Sequence, residues 1–275
     1  MVEGNYLHDG HGLDPALEAV AGALSRVPNL EARLSSALRK AFDEVIDGPR
    51  TGRFRIEQLE KTEKTYIGTK VEIILRNELD LDRGRKLDNL IEGHEVDTKF
   101  SLSGGWMIPA EAIDELCIVV RGDDNSSTFS LGLVRASLDN LTAGKNRDGK
   151  ASISALGKTR IRWLVRNGRI KPNILLRLDD EARHRILTAG SGVARVRELF
   201  LTVRGTIIPR QLLEQVAQQK DPMRRARQMK AELASRGLTV LCATYEVDQL
   251  EAKRLGFDAL EGDDWVVLPS TKEVL

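Results

Sequence analysis

The sequence predicts an α/β (α+β) fold, a sheet flanked by helices, followed by a mainly helical C-terminal domain. Three observations carry this. Helical periodicity dominates the first third of the chain, strand-like segments cluster between Leu87 and Ser137, and the pattern after residue 188 turns mostly helical. At 275 residues the chain is long enough for one large domain or two ordinary ones.

The elements follow in order. "LDPALEAVAGALSRVP" opens a helix, with Asp14 as N-cap and Pro15 in the first turn. "NLEARLSSALRKAFDEVI" places Leu30, Leu34, Leu38 and Phe42 at helical spacing, and "DGPRTGRF" breaks it. "EKTYIGTKVEIILRNEL" sets Ile67, Val71, Ile74 and Leu75 on one stripe. "KLDNLI", "EVDTKFSL", "ELCIVVRG" and "TFSLGLVRAS" read as strands separated by turn residues. "ISALGKTRIRWLVRN" reads as a helix and "NILLRL" as a short strand. The Gly–Ser break "TAGSGVAR" marks a domain boundary, giving domains 1–188 and 189–275. Beyond it come helices in "VARVRELFLTVRG", "TIIPRQLLEQVAQQ" and "DPMRRARQMKAELASRG", the last capped by Asp221 with Pro222. Short strands follow in "LTVLCATY" and "DWVVLP".

Charge and cysteine usage narrow the function classes. The net charge is +1, from 42 basic and 41 acidic residues, so affinity for nucleic acid must come from local patches. Cys117 and Cys242 both sit inside apolar runs, which points to buried thiols and a reducing compartment. No apolar run approaches the ~20 residues of a membrane helix, and the N-terminal stretch does not read as a secretory signal. The expectation is a soluble cytoplasmic protein.

The stretch "HEVDTKF" carries the chemistry. Asp97 and Lys99 are two apart in a strand and share one face, while Val96, Thr98 and Phe100 share the other. "LDN" puts Asp88 nine residues earlier, across a turn at "EGH", and "KVEIIL" puts Glu72 on a helix. Such carboxylates suit a hard divalent ion such as Mg²⁺, and a neighbouring lysine suits the charge that builds on a phosphoryl group. The order Asp–x(8)–Asp–x–Lys has the form of the PD-(D/E)xK nuclease core. By spacing alone it more readily describes an exposed strand face with an ordinary ion pair.

Longer runs go further. "DGPRTGRFRIEQLEKTEKTYIGTKVEI", "GHEVDTKFS", "GWMIPAEAI", "LGLV" and "RVRELFLTVRGTIIPRQLLEQVAQQKDPMRRAR" resemble the NaeI family of restriction endonucleases, in order, from about residue 35 to about 230. The resemblance implies a restriction-endonuclease-like mixed sheet, and a C-terminal helix-turn-helix domain of the winged-helix, catabolite-activator (CAP) type. It implies a homodimer that takes up to two copies of its double-stranded DNA site. Glu72, Asp88, Asp97 and Lys99 take the family's active-site positions. Asp88, Asp97, Glu72 and the Thr98 carbonyl then hold Mg²⁺, and Lys99 positions or deprotonates the attacking water. The products carry 5′-phosphate and 3′-hydroxyl ends. Residue 98 is Thr where the family motif has Cys, with its side chain facing away from the catalytic face. The match weakens after about Arg227.

The C-terminal helices carry their own signal. "VRELFLTVRGTIIPRQLLEQVAQQ" is two helices joined by a turn with glycine, as in helix-turn-helix units. Arg210 and Gln211 open the second helix, with Glu214 and Gln218 further along, and Arg and Gln read base edges. Arg224, Arg225, Arg227 and Lys230 suit phosphate contact. A solvated face of a helical bundle describes them equally well. Arg50, Arg53 and Lys64 either bind phosphate or solvate a loop, and the resemblance favours phosphate. His94 reads as a surface turn residue, Trp106 as core packing, and Glu63 ranks below Glu72. Two rivals remain: a nicking, repair or modification-dependent endonuclease with the same core, and a non-catalytic DNA-binding regulator.

Overall fold

The computed structural model describes residues 14–218 and 221–270. In chain order it contains helices α1 (Pro15–Ser25), α2 (Leu30–Ile46), α3 (Gly48–Thr51) and α4 (Lys61–Glu78). Strands follow: β1 (Asp82–Arg83), β2 (Asn89–Ile91), β3 (His94–Ser101), β4 (Met107–Ile108), β5 (Leu116–Asp123), β6 (Thr128–Arg135), β7 (Leu141–Lys145) and β8 (Ala151–Ile153). Then come α5 (Ala155–Thr159), β9 (Arg162–Arg169), α6 (Ile174–Arg177), α7 (Asp180–Thr188), α8 (Gly192–Thr202), α9 (Arg210–Ala217) and α10 (Pro222–Ala234). The last elements are β10 (Leu238–Cys242), α11 (Glu246–Arg254) and β11 (Trp265–Pro269).

The chain divides into two compact units, Met1–Ala41 with Thr65–Lys171, and Phe42–Lys64 with Pro172–Leu275. The Gly–Ser break near residue 190 falls between α7 and α8, inside the second unit.

The first unit is built on a six-stranded mixed sheet of order β1-β2-β3-β5-β6-β9. β3 and β5 are parallel and the other pairs antiparallel. β5 buries every residue from Leu116 to Val120, which places it at the sheet centre and explains its unbroken apolar run. A second sheet, β4-β8-β7, contributes Ile108, Ala151 and Ile153 to the core that also holds Cys117, Val119 and Val134. Asp97 pairs in register with Cys117 and Lys99 with Val119, so the charged face of β3 adjoins this apolar core. β2 and β3 are joined by a two-residue turn, with Glu92 at φ 51° and Gly93 at φ 78°. Both positive values belong to the turn type whose twist matches a hairpin, and the short loop sets the register.

Two readings of the sequence are overturned. The stretch expected as one helix, residues 153–167, is the end of β8, the short α5 and most of β9. Ser154 caps the start of α5 by accepting from the Gly157 amide, and the helix runs only five residues. Ile161, Trp163 and Val165 then alternate, which is a strand period, and β9 pairs with β6. "NILLRL" is not a strand but the helical turn α6. Asn173 starts it by accepting from the Leu175 amide and donating to the Phe54 carbonyl at 2.7 Å.

In the second unit α8, α9 and α10 close on the antiparallel pair β10-β11. Val196, Leu199, Phe200, Leu213, Val216 and Trp265 form its centre. The α10 start is as the sequence predicts, Asp221 accepting from the Arg224 amide at 2.8 Å beside Pro222; α1 likewise begins with Asp14 accepting from Leu17 at 3.0 Å. Cys117 and Cys242 are free and buried, and Trp106 is core, its indole donating to the Val120 carbonyl at 2.9 Å. Among the described residues no helix is long and apolar enough to cross a membrane.

Candidate active site

Three elements of the first unit bring their charges to one point. β3 presents Asp97 and Lys99 on one face by its two-residue period. Asp88 ends the turn before β2, and the β2–β3 register sets it beside Asp97. Glu72 comes from α4. The Lys99 ammonium is the common neighbour: 2.8 Å from Asp97 Oδ1, 3.9 Å from Glu72 Oε1 and 4.0 Å from Asp88 Oδ2. It also donates to the Thr98 carbonyl at 3.1 Å. The four residues named from the sequence are thus brought together by the fold.

Neighbouring groups hold the arrangement. The Thr98 amide donates to Asp88 Oδ2 at 2.9 Å, which fixes that carboxylate against β3. Arg76, one turn beyond Glu72 on α4, donates to the Asp88 carbonyl at 3.2 Å. On the reverse face the Thr98 hydroxyl is fully buried and accepts from Asn89 Nδ2 at 2.9 Å. Sequence reasoning missed Arg76 and Asn89. Arg76 carried a signal, since a residue four beyond Glu72 lies on the same helix face.

The electrostatics are those of crowded acids. Burial pushes the Glu72 carboxyl up to about 7, against the pull of Lys99, and the Asp88 and Asp97 charges add to the rise. Burial likewise raises Asp97 to about 6, with Lys99 opposing and Asp88 reinforcing. Burial alone would depress Lys99, but the attraction of Asp97, Glu72 and Asp88 outweighs it and holds the ammonium charged. Asp97 Oδ2 is buried with no hydrogen-bond partner.

The residues fit a hard divalent ion. Three carboxylates face one ammonium, an excess of negative charge in a partly buried place, and Asp97 keeps an unused oxygen there. Among the described residues no three acidic, imidazole or thiol groups form a ready-made ion cage. Asp88, Asp97 and Lys99 line a cavity of about 470 Å³.

The other residues named from the sequence lie elsewhere. Arg50, Arg53 and Lys64 belong to the second unit. Arg50 is paired with Asp47 at 2.5 Å, Arg53 is gripped by both oxygens of Glu63 at 2.8 and 3.0 Å, and Lys64 donates to the Glu57 carbonyl at 3.3 Å. Glu63 is therefore an ion-pair partner, far in role from Glu72. Arg210 at the start of α9 is held by Glu214 at 2.7 Å and Asp263 at 2.6 Å. Gln211, Arg224 and Arg227 are exposed, Arg225 is half-buried, and the exposed Gln218 caps α9 in a left-handed conformation. His94 opens β3 and is not among the groups around Lys99.

Comparisons with known proteins identify the family. The sequence profile described as "Restriction endonuclease NaeI" matches residues 18–270, past the weak region expected after Arg227. The type II restriction enzyme NaeI of Lentzea aerocolonigenes is 38% identical over 222 residues, covering 78% of this chain and 70% of that protein. A match of this extent, over a mixed α/β fold with an acidic cluster around one lysine, shows that the chain belongs to the NaeI family of restriction endonucleases, which makes it a sequence-specific DNA endonuclease.

Proposed function

We propose that cleavage takes place at Lys99 and its three carboxylates, with Mg²⁺ as cofactor, and leaves 5′-phosphate and 3′-hydroxyl ends. The observation that carries this is the placement of the Lys99 ammonium within 4.0 Å of Glu72, Asp88 and Asp97. Asp88 and Asp97 would hold the ion with the Thr98 carbonyl, and Glu72 would complete the acidic cluster. Bound there, Mg²⁺ supplies charge against the phosphoryl oxygens and lowers the pKa of coordinated water.

The chain's own groups do the rest. Lys99, kept protonated by its neighbours, orients the attacking water and faces the charge that develops on phosphorus. This favours positioning over proton abstraction for Lys99. Glu72, raised to about 7, is poised to take a proton near neutral pH. Water oxygen bonds to phosphorus, the bond to the 3′ oxygen breaks, and that oxygen leaves as the hydroxyl after gaining a proton.

The second unit reads as the DNA-recognition part, with α8 and α9 as a helix-turn-helix. Its support is the adjacency of α8 and α9 in one core, joined by a connection in which Gly205 takes φ 63° and its amide donates to the Val267 carbonyl at 2.9 Å, and the exposed Gln211 at the head of α9. Arg210 would leave its two carboxylate partners to read a base. Arg224, Arg225 and Arg227 would meet phosphates, as would Arg50, Arg53 and Lys64, and Gln218 would contact DNA from the end of α9. Action as a homodimer holding up to two DNA sites, and a cytoplasmic setting, complete the proposal.

The test is incubation with long mixed-sequence DNA and Mg²⁺, followed by sequencing of fragment ends. Defined ends at one short sequence, lost in Asp97→Ala and Lys99→Ala, are expected. Near wild-type cleavage by either variant would refute the site; single-strand nicks alone would refute double-strand cutting.

A further inference from the structure

We propose that the turn between β1 and β2 is a clamp for the DNA backbone, with Arg83 and Arg85 as its phosphate-binding cations and Glu95 as the residue that positions them. The inference rests on the reading of Asp88, Asp97 and Lys99 as the cleavage site.

The turn is built around one side chain. Glu95, on β3, accepts from three successive amides: Arg85 at 2.8 Å, Lys86 at 3.2 Å and Leu87 at 2.8 Å. Successive amides converging on one anion form a nest that usually receives a ligand's charge. Here the chain supplies the anion itself, which turns the nest into a brace. Gly84 fits the same brace. A Cβ at that position would come within 2.5 Å of both Glu95 Oε2 and the Leu87 carbonyl, and backbone cannot step aside.

What the brace holds is the wall of the cleavage cavity. Arg83 and Arg85 line the same cavity as Asp88, Asp97 and Lys99. Both are exposed, and among the described residues neither is in an ion pair. Their neighbour Lys86 differs, being paired with Glu115 at 2.8 Å. The cavity therefore joins an acidic part, which suits an ion, to two uncommitted guanidiniums, which suit phosphate. Glu111 also lines it and would repel a phosphate lying on its own side, so the arginine side is where the backbone is held. DNA has a phosphate on each side of the one attacked. A clamp three to five residues upstream of Asp88 grips such a neighbour and sets the scissile ester against Lys99. Bracing the loop beforehand lowers the ordering cost of that grip.

The experiment compares Arg83→Ala, Arg85→Ala, Glu95→Ala and Asp97→Asn with the full-length wild-type protein. Binding to a short mixed-sequence duplex is followed in EDTA as salt is raised, and plasmid cleavage is followed in Mg²⁺. Each arginine variant is expected to flatten the dependence of log K on log salt by about one and to slow cleavage, with melting temperature unchanged. Glu95→Ala is expected to keep the wild-type salt slope yet bind several-fold more weakly. Lower melting temperature with wild-type affinity would make Glu95 merely structural and overturn its role. Wild-type slope and affinity in both arginine variants would overturn the clamp. Asp97→Asn separates the two readings: wild-type cleavage by it would sink the active site, whatever the arginines do.

Discussion

Arg76 donates to the main-chain carbonyl of Asp88 at 3.2 Å, one helical turn beyond Glu72. The helix that supplies one carboxylate is thereby tied to the turn that supplies another. Arg76→Ala should lower the single-turnover cleavage rate by about 10- to 100-fold, as loss of alignment does, while melting temperature changes little. Rate measurement beside a thermal melt decides it, and an unchanged rate would show that packing alone aligns the two.

Thr98 tests the reverse face. Thr98→Val removes the oxygen that accepts from Asn89 Nδ2 and leaves that buried amide only its longer bond to the Val96 carbonyl at 3.4 Å, at a cost of about 1 kcal/mol or more. Thr98→Cys keeps size and a weak acceptor and should remain active. Urea unfolding measures the difference between the two variants.

The acidic cluster makes metal-free stability depend on pH. A carboxyl whose folded pKa is raised holds its proton more tightly in the folded state. Its stabilisation is full below the unfolded pKa and is lost as pH rises through the folded one. For Asp97 that window runs from 3.8 to about 6, and for Glu72 from 4.5 to about 7. In EDTA the melting temperature should therefore drop across this range, and Glu72→Gln should remove the upper part of the drop. Parallel curves for wild type and Glu72→Gln would contradict it.

Arg39 and Asp124 form a pair 2.5 Å apart with side chains 12% and 3% exposed. Arg39→Met leaves Asp124 charged and buried, and should cost about 3–5 kcal/mol. Arg39→Met with Asp124→Leu should recover most of that in denaturant unfolding, since no unpaired charge remains.

The parts visible in the sequence were those written in local periodicity. The apolar run Leu116–Val120 announced a strand, and "EGH" announced the turn across which Asp88 comes beside Asp97. The same reading failed at β9, where arginines among Ile161, Trp163 and Val165 fit helix and strand alike and only pairing with β6 decides. The three hydrogen bonds of Glu95 were invisible for a different reason. A surface glutamate has no pattern of its own, and its meaning lies in the turn folded over it. Arg53 looks in the sequence like a cation for phosphate and Arg210 like a reader of base edges, yet the partners that occupy them, Glu63 and Asp263, lie ten and 53 residues away in sequence.

The interleaving of the two units has a practical consequence. The second takes residues Phe42–Lys64 from the interior of the sequence that builds the first. Gln215 donates to the Arg53 carbonyl at 2.7 Å and Asn173 to that of Phe54, so the later helices complete themselves on this early segment. A gene fragment starting at Pro172 would encode an orphan with an open apolar seam. Transplanting the second unit into another enzyme therefore requires grafting two separate stretches of chain at once.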